Sequence, residues 1–471
     1  MISRLESELA FLSIAEASRL LRRKEISSVE LVSAVLSRIT RLNPSLNAFI
    51  TVVDDAARRE AKKAGREIRR GESRGPLHGI PISLKDNIET HGILTTAGSR
   101  ILGDFIPAKN SVIAERLARA GAILVGKTNL HEFAYGVTTE NPFFGTTRNP
   151  WLRDRIPGGS SGGSGAAVAA GLGFASVGTD TGGSIRIPSA LCGIVGLKPT
   201  FGLVSLEGVV PLAESLDHAG PMARTVADAS IMLEAIAGRY PKGARLPDFR
   251  KLRKKRPFRF RIGWPKQYFF DRIDDEVLRA VKSAVKTLES LGGRVAEVSL
   301  PHLDDSVAPS TSIALAEATQ YHESRGYFPE RADEYSSDLR HRLEQGRDVR
   351  AVDYLRAREQ QSEVMRDFDA AFDRVDVITA PTTPIAAPPL GTKEVSIAGE
   401  KETVRAALLR LNRPANYTGH PAISLPCGFT RAGLPIGLQI IGPLWGEAGL
   451  LEIAFAYEQA TEWHKKHPDL G

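Results

Sequence analysis

The sequence predicts an α/β protein built as one large domain. Its 471 residues, 42% hydrophobic and 25% charged, have the composition of an ordinary globular chain that can bury a substantial core. Short apolar runs punctuated by glycine and proline alternate with segments whose apolar residues recur at helical spacing. This alternation is typical of α/β proteins. Neither an internal repeat nor a low-complexity tract divides the chain.

The elements are predicted in order along the chain. N-terminal helices occupy 13–75, with two amphipathic helices over 13–43 and a charged helix over 47–70. A core region follows over 76–235, a highly charged helical segment over 270–375 covers the site, and 376–471 completes the core. Predicted strands in these regions are the runs GAILVGKT (121–128), GFASVGTDT (173–181), CGIVGLKPT (192–200), VDVITAPTTP (375–384), PAISLPCGF (421–429) and LPIGLQIIG (434–442). A C-terminal helix is predicted over 446–463.

Composition excludes several classes of protein. No window of eighteen apolar residues exists, so a membrane span is not expected. Only Cys192 and Cys427 occur, which predicts a chain without a disulfide framework in the reducing cytoplasm. The histidines form no HExxH or other metal-ligand pattern, so neither a metal nor a cofactor is predicted.

The net charge is +7, and the run over 250–261 carries eight basic residues in twelve. Such a run can bind nucleic acid or can be a solvated connector that leads into a strand. A single basic run without any nucleic-acid motif favours the connector, so no nucleic-acid partner is expected.

Two stretches match the patterns of known functional sites, but the residues around them argue against those functions. GAILVGKT fits the phosphate-binding loop pattern, but its four intervening residues are apolar and indicate a buried strand. Ser160, in the stretch PGGSSGGSG (157–165), fits the G-x-S-x-G nucleophile elbow of serine hydrolases. That elbow needs an apolar strand directly before it, whereas Ser160 follows WLRDRIPGG.

A different pair of motifs is more informative. In GTDTGGSIR (178–186), Ser184 follows two glycines, whose freedom lets successive amides point the same way, as an oxyanion requires. Lys85 ends the apolar run of GIPISLKDN (79–87), where burial would favour the neutral amine that can act as a base. A salt bridge from Lys85 to Asp86 is the structural alternative. Spacing alone also leaves open a serine–histidine triad using His131 or His218.

Taken together, these motifs resemble the amidase signature family. The resemblance rests on GIPISLKDN, GKTNLHEFAYG (126–136), NPW (149–151), PGGSSGGSGAAVAAG (157–171), GTDTGGSIRIPSALCGIVGLKPT (178–200) and DHAGPMART (217–225), in the family's order. It implies an α/β/α domain with a central mixed twisted sheet covered by helices.

The resemblance also implies a Ser-Ser-Lys triad. Lys85 matches the family base, Ser160 the bridging serine that follows a cis peptide bond, and Ser184 the nucleophile. The implied oxyanion hole consists of the amides of Thr181, Gly182, Gly183 and Ser184. Substrate contacts are implied, less specifically, for Tyr135, Gly136 and Ser161.

Family members range from small-molecule amidases to the glutaminase component of tRNA-dependent amidotransferases. The latter usually place an acidic residue shortly before the P-x-N motif, but here Leu411, Asn412 and Arg413 precede Pro414. We therefore expect a stand-alone amidohydrolase that cleaves an aryl or alkyl amide, an anilide or a carbamate. Its partner would be a small-molecule amide, with homo-oligomerisation left open. The alternative is the amidotransferase A subunit, which works with partner subunits.

Overall fold

A large mixed sheet forms the centre of the molecule. The computed structural model describes residues 8–238, 240–241, 245–252, 259–265 and 267–470. The strands of the sheet within these residues are β1 Phe49–Val52, β2 Pro81–Lys85, β3 Ile123–Thr128, β6 Ala175–Asp180, β7 Val195–Lys198, β8 His218–Ala223, β9 Phe260–Pro265, β10 Gly293–Val298, β11 Val377–Pro381, β14 Ala422–Phe429 and β15 Pro435–Ile441. These eleven strands pair in the order β1-β3-β2-β6-β8-β7-β14-β15-β11-β9-β10. Two small hairpins lie outside this sheet: β4 Glu140–Asn141 with β5 Gly145–Thr146, and β12 Glu394–Ile397 with β13 Glu400–Thr403.

Helices pack on this sheet and on one another. In chain order they are α1 Ile14–Arg23, α2 Ser28–Leu46, α3 Asp54–Arg69, α4 Val112–Arg119, α5 Gly162–Ala169, α6 Arg186–Cys192, α7 Val226–Ile236, α8 Asp275–Ser290, α9 Val307–Ser324, α10 Ser337–Arg347, α11 Ala351–Phe372, α12 Val404–Arg410, α13 Arg413–Tyr417 and α14 Glu447–Gln459. The amphipathic start of the chain explains α1 and α2, each of which begins with a capping box closed by a serine and a glutamate. The predicted α/β fold with a mixed sheet covered by helices is confirmed.

Strand direction determines where functional side chains can meet. β2 runs parallel to both β3 and β6, whereas β8, β7, β14 and β15 run antiparallel to their neighbours. The carboxyl ends of β2 and β6 therefore lie at the same edge of the sheet, where ligands commonly bind in α/β proteins. The predicted strand over 121–128 is β3, near whose end Lys127 is fully buried.

Among the strands that were not predicted, two lie at the edges of the sheet. β10 lies inside the segment 270–375 that the charge pattern assigned to helices alone. It is the outermost strand of the sheet, and Arg294 and Glu297 on it are exposed, so its sequence lacks the apolar run of a central strand. β1 is likewise an edge strand of four residues inside a segment predicted as helix. Edge position explains why both have a weak sequence signal.

The basic run over 250–261 is only partly described, because residues 253–258 lie outside the described residues. At its two described ends, Arg250 pairs with Asp248 at 2.9 Å and Arg261 pairs with Asp376 at 3.0 Å. The run does lead into a strand, since β9 begins at Phe260. Across the described ranges, no helix combines the length and the apolar character that a bilayer crossing requires.

Candidate active site

The candidate site lies where β2 and β6 end. Lys85 is the last residue of β2 and Asp180 the last of β6. The glycine-serine stretch before α5 brings Ser160 to this edge, and the turn between β6 and α6 brings Ser184. Two loops and two parallel strands thus converge on one position.

Lys85 is fully buried and donates two short hydrogen bonds. Its Nζ lies 2.7 Å from Ser160 Oγ and 2.7 Å from Thr179 Oγ1. Burial lowers the pKa of Lys85 to about 7, although the charges of Asp217 and Asp180 oppose the shift. A lysine in this environment can exist as a neutral amine near neutral pH.

The structural alternative for Lys85, an ion pair with Asp86, does not form. Asp86 instead pairs with Lys127 at 3.2 Å and accepts hydrogen bonds from the amide and hydroxyl of Thr96 at 2.9 and 2.5 Å. The carboxylate of Asp86, which follows Lys85 in the sequence, therefore forms its ion pair with Lys127 and not with Lys85.

The two adjacent serines of the glycine-serine stretch have different roles in the structure. Ser160 follows a cis peptide bond, in agreement with the resemblance, and its hydroxyl accepts the Lys85 hydrogen bond. The hydroxyl of Ser161 donates to the Thr179 carbonyl at 3.1 Å. Ser161 also donates its amide to the Ser184 carbonyl at 3.2 Å, which ties the two loops together. Ser161 is not among the residues that line the cavity described below, and its predicted contact with substrate stays a prediction.

The carboxylate of Asp180 holds the turn that carries Ser184. It accepts the amide of Gly183 at 2.7 Å and that of Ile185 at 3.1 Å, and it pairs with buried Arg186 at 3.0 Å. Burial would raise the pKa of Asp180, but Arg186 more than offsets this and holds the pKa well below its ordinary value. Gly183 has φ +126°, and a Cβ there would lie 2.6 Å from Asn412 Cβ, so only glycine fits.

The implied oxyanion hole is only partly free. The Gly183 amide is already used by Asp180, as just described. For the amides of Thr181, Gly182 and Ser184, no acceptor is found among the described residues. Three of the four implied amides therefore have no acceptor in the described part of the chain, and the oxyanion hole stays a prediction.

We expect the Arg186→Met variant to be less stable to unfolding than the wild-type protein. It would leave Asp180 charged and fully buried without its partner, which typically costs about 3–5 kcal/mol. The matched control is Arg366→Met, because Arg366 lies on α11 with 70% of its side chain exposed. Urea unfolding followed by circular dichroism should show a lower midpoint for Arg186→Met alone. Equal midpoints for the two variants would contradict a structural role for this pair.

Neither His131 nor His218 bonds to a candidate serine hydroxyl. His131 Nδ1 lies 3.4 Å from Thr138 Oγ1, and His218 Nδ1 lies 2.8 Å from the Leu216 carbonyl. Burial lowers the pKa of both imidazoles well below the ordinary histidine value. The geometry thus offers Lys85, and not a histidine, as the partner of Ser160.

A cavity of about 450 Å³, its open mouth included, adjoins Ser184. Tyr135 and Gly136 line it together with Thr181 and Gly182, whereas Ser160 and Lys85 are fully buried and are not among its lining residues. A Cβ on Gly136 would lie 2.2 Å from the His131 ring, so packing requires this glycine whatever it contacts in a substrate.

Sequence reasoning missed several residues of the site. Thr179 and Asp180 stand within the quoted motif GTDTGGSIR, where their position before the glycines was a usable signal. Asp217, which accepts a hydrogen bond from Thr181 Oγ1, and two arginines of the cavity wall, Arg405 and Arg413, come from distant segments that only the fold brings here.

Comparison with known proteins agrees with this geometry. The model of the Amidase family matches residues 30–451. The A subunit of glutamyl-tRNA(Gln) amidotransferase from Moorella thermoacetica is 41% identical, over 98% of this chain and 99% of that protein. The corresponding protein of Carboxydothermus hydrogenoformans is 42% identical, over 98% of this chain and 100% of its own length.

Solved structures of amidases share the fold. The crystal structure of an amidase superposes with a TM-score of 0.88 at 36% identity, covering 95% of this chain and 99% of that one. The peptide amidase of Stenotrophomonas maltophilia superposes with a TM-score of 0.82 at 33% identity, covering 96% and 97% of the two chains. With a family model over most of its length and relatives matched end to end, the chain belongs to the amidase family.

Proposed function

We propose that the chain hydrolyses a carboxamide through an acyl-enzyme on Ser184. The observation that carries the proposal is the arrangement of Ser184, Ser160 and Lys85 relative to the cavity. Ser184 faces the cavity, whereas Ser160 is fully buried and accepts a 2.7 Å hydrogen bond from Lys85. A reacting carbonyl can reach Ser184 from the cavity. The proposed proton path from Ser184 to Ser160 is supported by the loop contact next to Ser160, where the Ser161 amide donates to the Ser184 carbonyl at 3.2 Å.

In the proposed reaction, neutral Lys85 takes a proton from Ser160 while Ser160 takes one from Ser184. Ser184 Oγ bonds to the carbonyl carbon, and the free amides of Thr181, Gly182 and Ser184 donate to the oxyanion. Ser160 gives a proton to the amide nitrogen as the C–N bond breaks, which releases ammonia or an amine. The ammonium of Lys85 returns a proton to Ser160, so both groups are restored. Water then attacks the acyl-enzyme through the same relay and frees the carboxylic acid.

For the biological setting we favour an amidotransferase A subunit over a stand-alone amidase. The missing acidic residue before the P-x-N motif favoured the stand-alone enzyme. The alignments with the two amidotransferase relatives, at 41% and 42% identity, nevertheless extend over almost the full length of both chains. They are named for an enzyme of glutamyl-tRNA(Gln), which speaks against a small molecule as the only partner and against the expected lack of a nucleic-acid partner. In this setting the chain would release ammonia from an amide donor and work with partner subunits.

A stand-alone amidase is the second candidate, and one observation favours it. No Asp or Glu lines the cavity in the part of the chain that the structure describes. The ammonium group of free glutamine would then lack the acidic partner expected before the P-x-N motif. The solved amidases of the same fold show that this architecture supports amidases as well.

Ammonia release tests the shared chemistry and separates the two settings. The purified chain would be assayed with L-glutamine and a panel of alkyl and aryl amides, with hydroxylamine added to trap the acyl group as a hydroxamate. A stand-alone amidase should turn over a panel amide unaided. An amidotransferase component should release ammonia from glutamine efficiently only in its native complex, and faster when glutamyl-tRNA is added. If no amide yields a hydroxamate, either with the purified chain or with its native complex, the result would contradict the acyl-enzyme.

A further inference from the structure

Arginines dominate one wall of the cavity beside Ser184. The guanidinium carbons of Arg342 and Arg405 lie 5.3 and 5.2 Å from the centre of the Tyr135 ring. Arg413, at the start of α13, passes so close to Gly182 that a Cβ there would meet its Cγ at 3.5 Å. Arg405 and Arg413 both line the cavity. Positive charge is therefore concentrated next to the candidate reaction centre.

Only one of these arginines has a carboxylate partner in the part of the chain that the structure describes. Arg342 pairs with Asp338 at 2.7 Å. Arg405 donates to the Tyr135 carbonyl at a long 3.4 Å, and Arg413 donates to the Val307 carbonyl and to Thr311 Oγ1. Within the described residues, no carboxylate lies at ion-pair distance from Arg405 or Arg413.

These two positive charges would gain from a bound anion. Both residues are partly buried, and this burial lowers the pKa of Arg405 to about 9 and also lowers the pKa of Arg413. A charge that is partly withdrawn from water is stabilised by a partner of opposite sign. Guanidinium groups bind carboxylates well, because their N–H donors match the two carboxylate oxygens. The missing partner is therefore expected to arrive with the substrate.

We propose that Arg405 and Arg413 form a carboxylate-binding subsite, so that the substrate is an amide whose acyl part ends in a carboxylate. This inference rests on the proposed function, since it names the class of amide that acylates Ser184. The monoamide of a dicarboxylic acid is the simplest molecule of this class. The described residues of the cavity wall include no Asp or Glu that could pair with an ammonium group. The proposal therefore includes a preference for substrates without an ammonium group.

Two amides of equal length test the subsite. Glutaramate has an amide at one end and a carboxylate at the other, whereas glutaramide has amides at both ends. For the wild-type enzyme we expect kcat/KM to be about 10–100-fold higher for glutaramate, the range of a hydrogen bond to a charged group. L-Glutamine, which adds an ammonium group to glutaramate, should fall below glutaramate.

Variants assign the preference to the two arginines. In Arg405→Gln and in Arg413→Gln, the ratio of kcat/KM for glutaramate to that for glutaramide should fall roughly tenfold or more. The lysine variants should retain part of the ratio, because lysine keeps the charge but loses the paired donors. The control Arg366→Gln, on an exposed part of α11, should keep the wild-type ratio.

Binding separates failure of the subsite from failure of the proposed function. The Ser184→Ala variant would be titrated with glutaramate and with glutaramide by calorimetry, which requires no turnover. Tighter binding of glutaramate supports the subsite even if the isolated chain hydrolyses neither amide. That failure of hydrolysis would count only against the second candidate function, the stand-alone amidase. Equal Kd values, or equal kcat/KM values in an active enzyme, would overturn the subsite and leave the acyl-enzyme proposal standing.

Discussion

Ser184→Ala should abolish amide hydrolysis, with kcat reduced roughly 10⁴-fold or more, because the acyl-enzyme can no longer form. The same substitution should remove labelling by a fluorophosphonate, which reacts with activated serine hydroxyls. In the wild-type protein, mass spectrometry should place the adduct on the peptide that contains Ser184. The expectation follows from the exposure of Ser184 to the cavity, which buried Ser160 lacks.

The chain offers a matched control for this serine. Ser83 lies on β2, is fully buried, and its Oγ has no hydrogen-bond partner among the described residues. Removing an unpartnered hydroxyl leaves no new unsatisfied group, so Ser83→Ala should change kcat by less than about threefold. An adduct on Ser160 with Ser184 unmodified, or a Ser184→Ala enzyme that still turns over, would contradict the assignment.

The parts of the site that could be predicted are those in which local sequence carries the constraint. Gly183 can be inferred from sequence because its φ of +126° and the nearby Asn412 exclude a side chain. The apolar run before Lys85 indicated that this residue lies at the end of a buried segment, and the structure shows that segment to be strand β2. Such features depend mainly on the conformation of a short stretch of chain, so one sequence is enough to reveal them.

Other parts depend on the fold and were not predictable. Arg405 and Arg413 reach the cavity from a segment more than 200 residues after Ser184. The sequence drew attention to Arg413 before the P-x-N motif but gave no sign that either arginine lines the cavity. The hydrogen bond from the Gly183 amide to Asp180 also depends on the geometry of the turn. The resemblance implied four amides for the oxyanion hole, and three of them lack an acceptor among the described residues. Edge strand β10 was hidden by its exposed charges.

Lys85→Ala should lower kcat by ~10²–10⁴-fold, the usual contribution of a general base. The enzyme should remain folded, because the substitution removes a buried group whose charged form is already disfavoured by burial. Lys85→Arg should fail too, since guanidinium keeps its proton at any working pH. Substitution of His131 or His218 by glutamine should retain most of the activity, because neither side chain bonds to Ser160 or Ser184.

The pH profile gives the same prediction a second readout. Only the neutral amine of Lys85 can accept the proton from Ser160, so kcat/KM should rise with pH and be half-maximal near 7, the pKa to which burial lowers Lys85. Asp217 and Asp180 oppose that lowering, so Asp217→Asn should remove a stabilising charge and move the rise to lower pH. A profile that falls through neutral pH, or an unchanged midpoint in a folded Asp217→Asn enzyme, would show that Lys85 is not the group being titrated. Near-wild-type turnover by Lys85→Ala would exclude it as the base altogether.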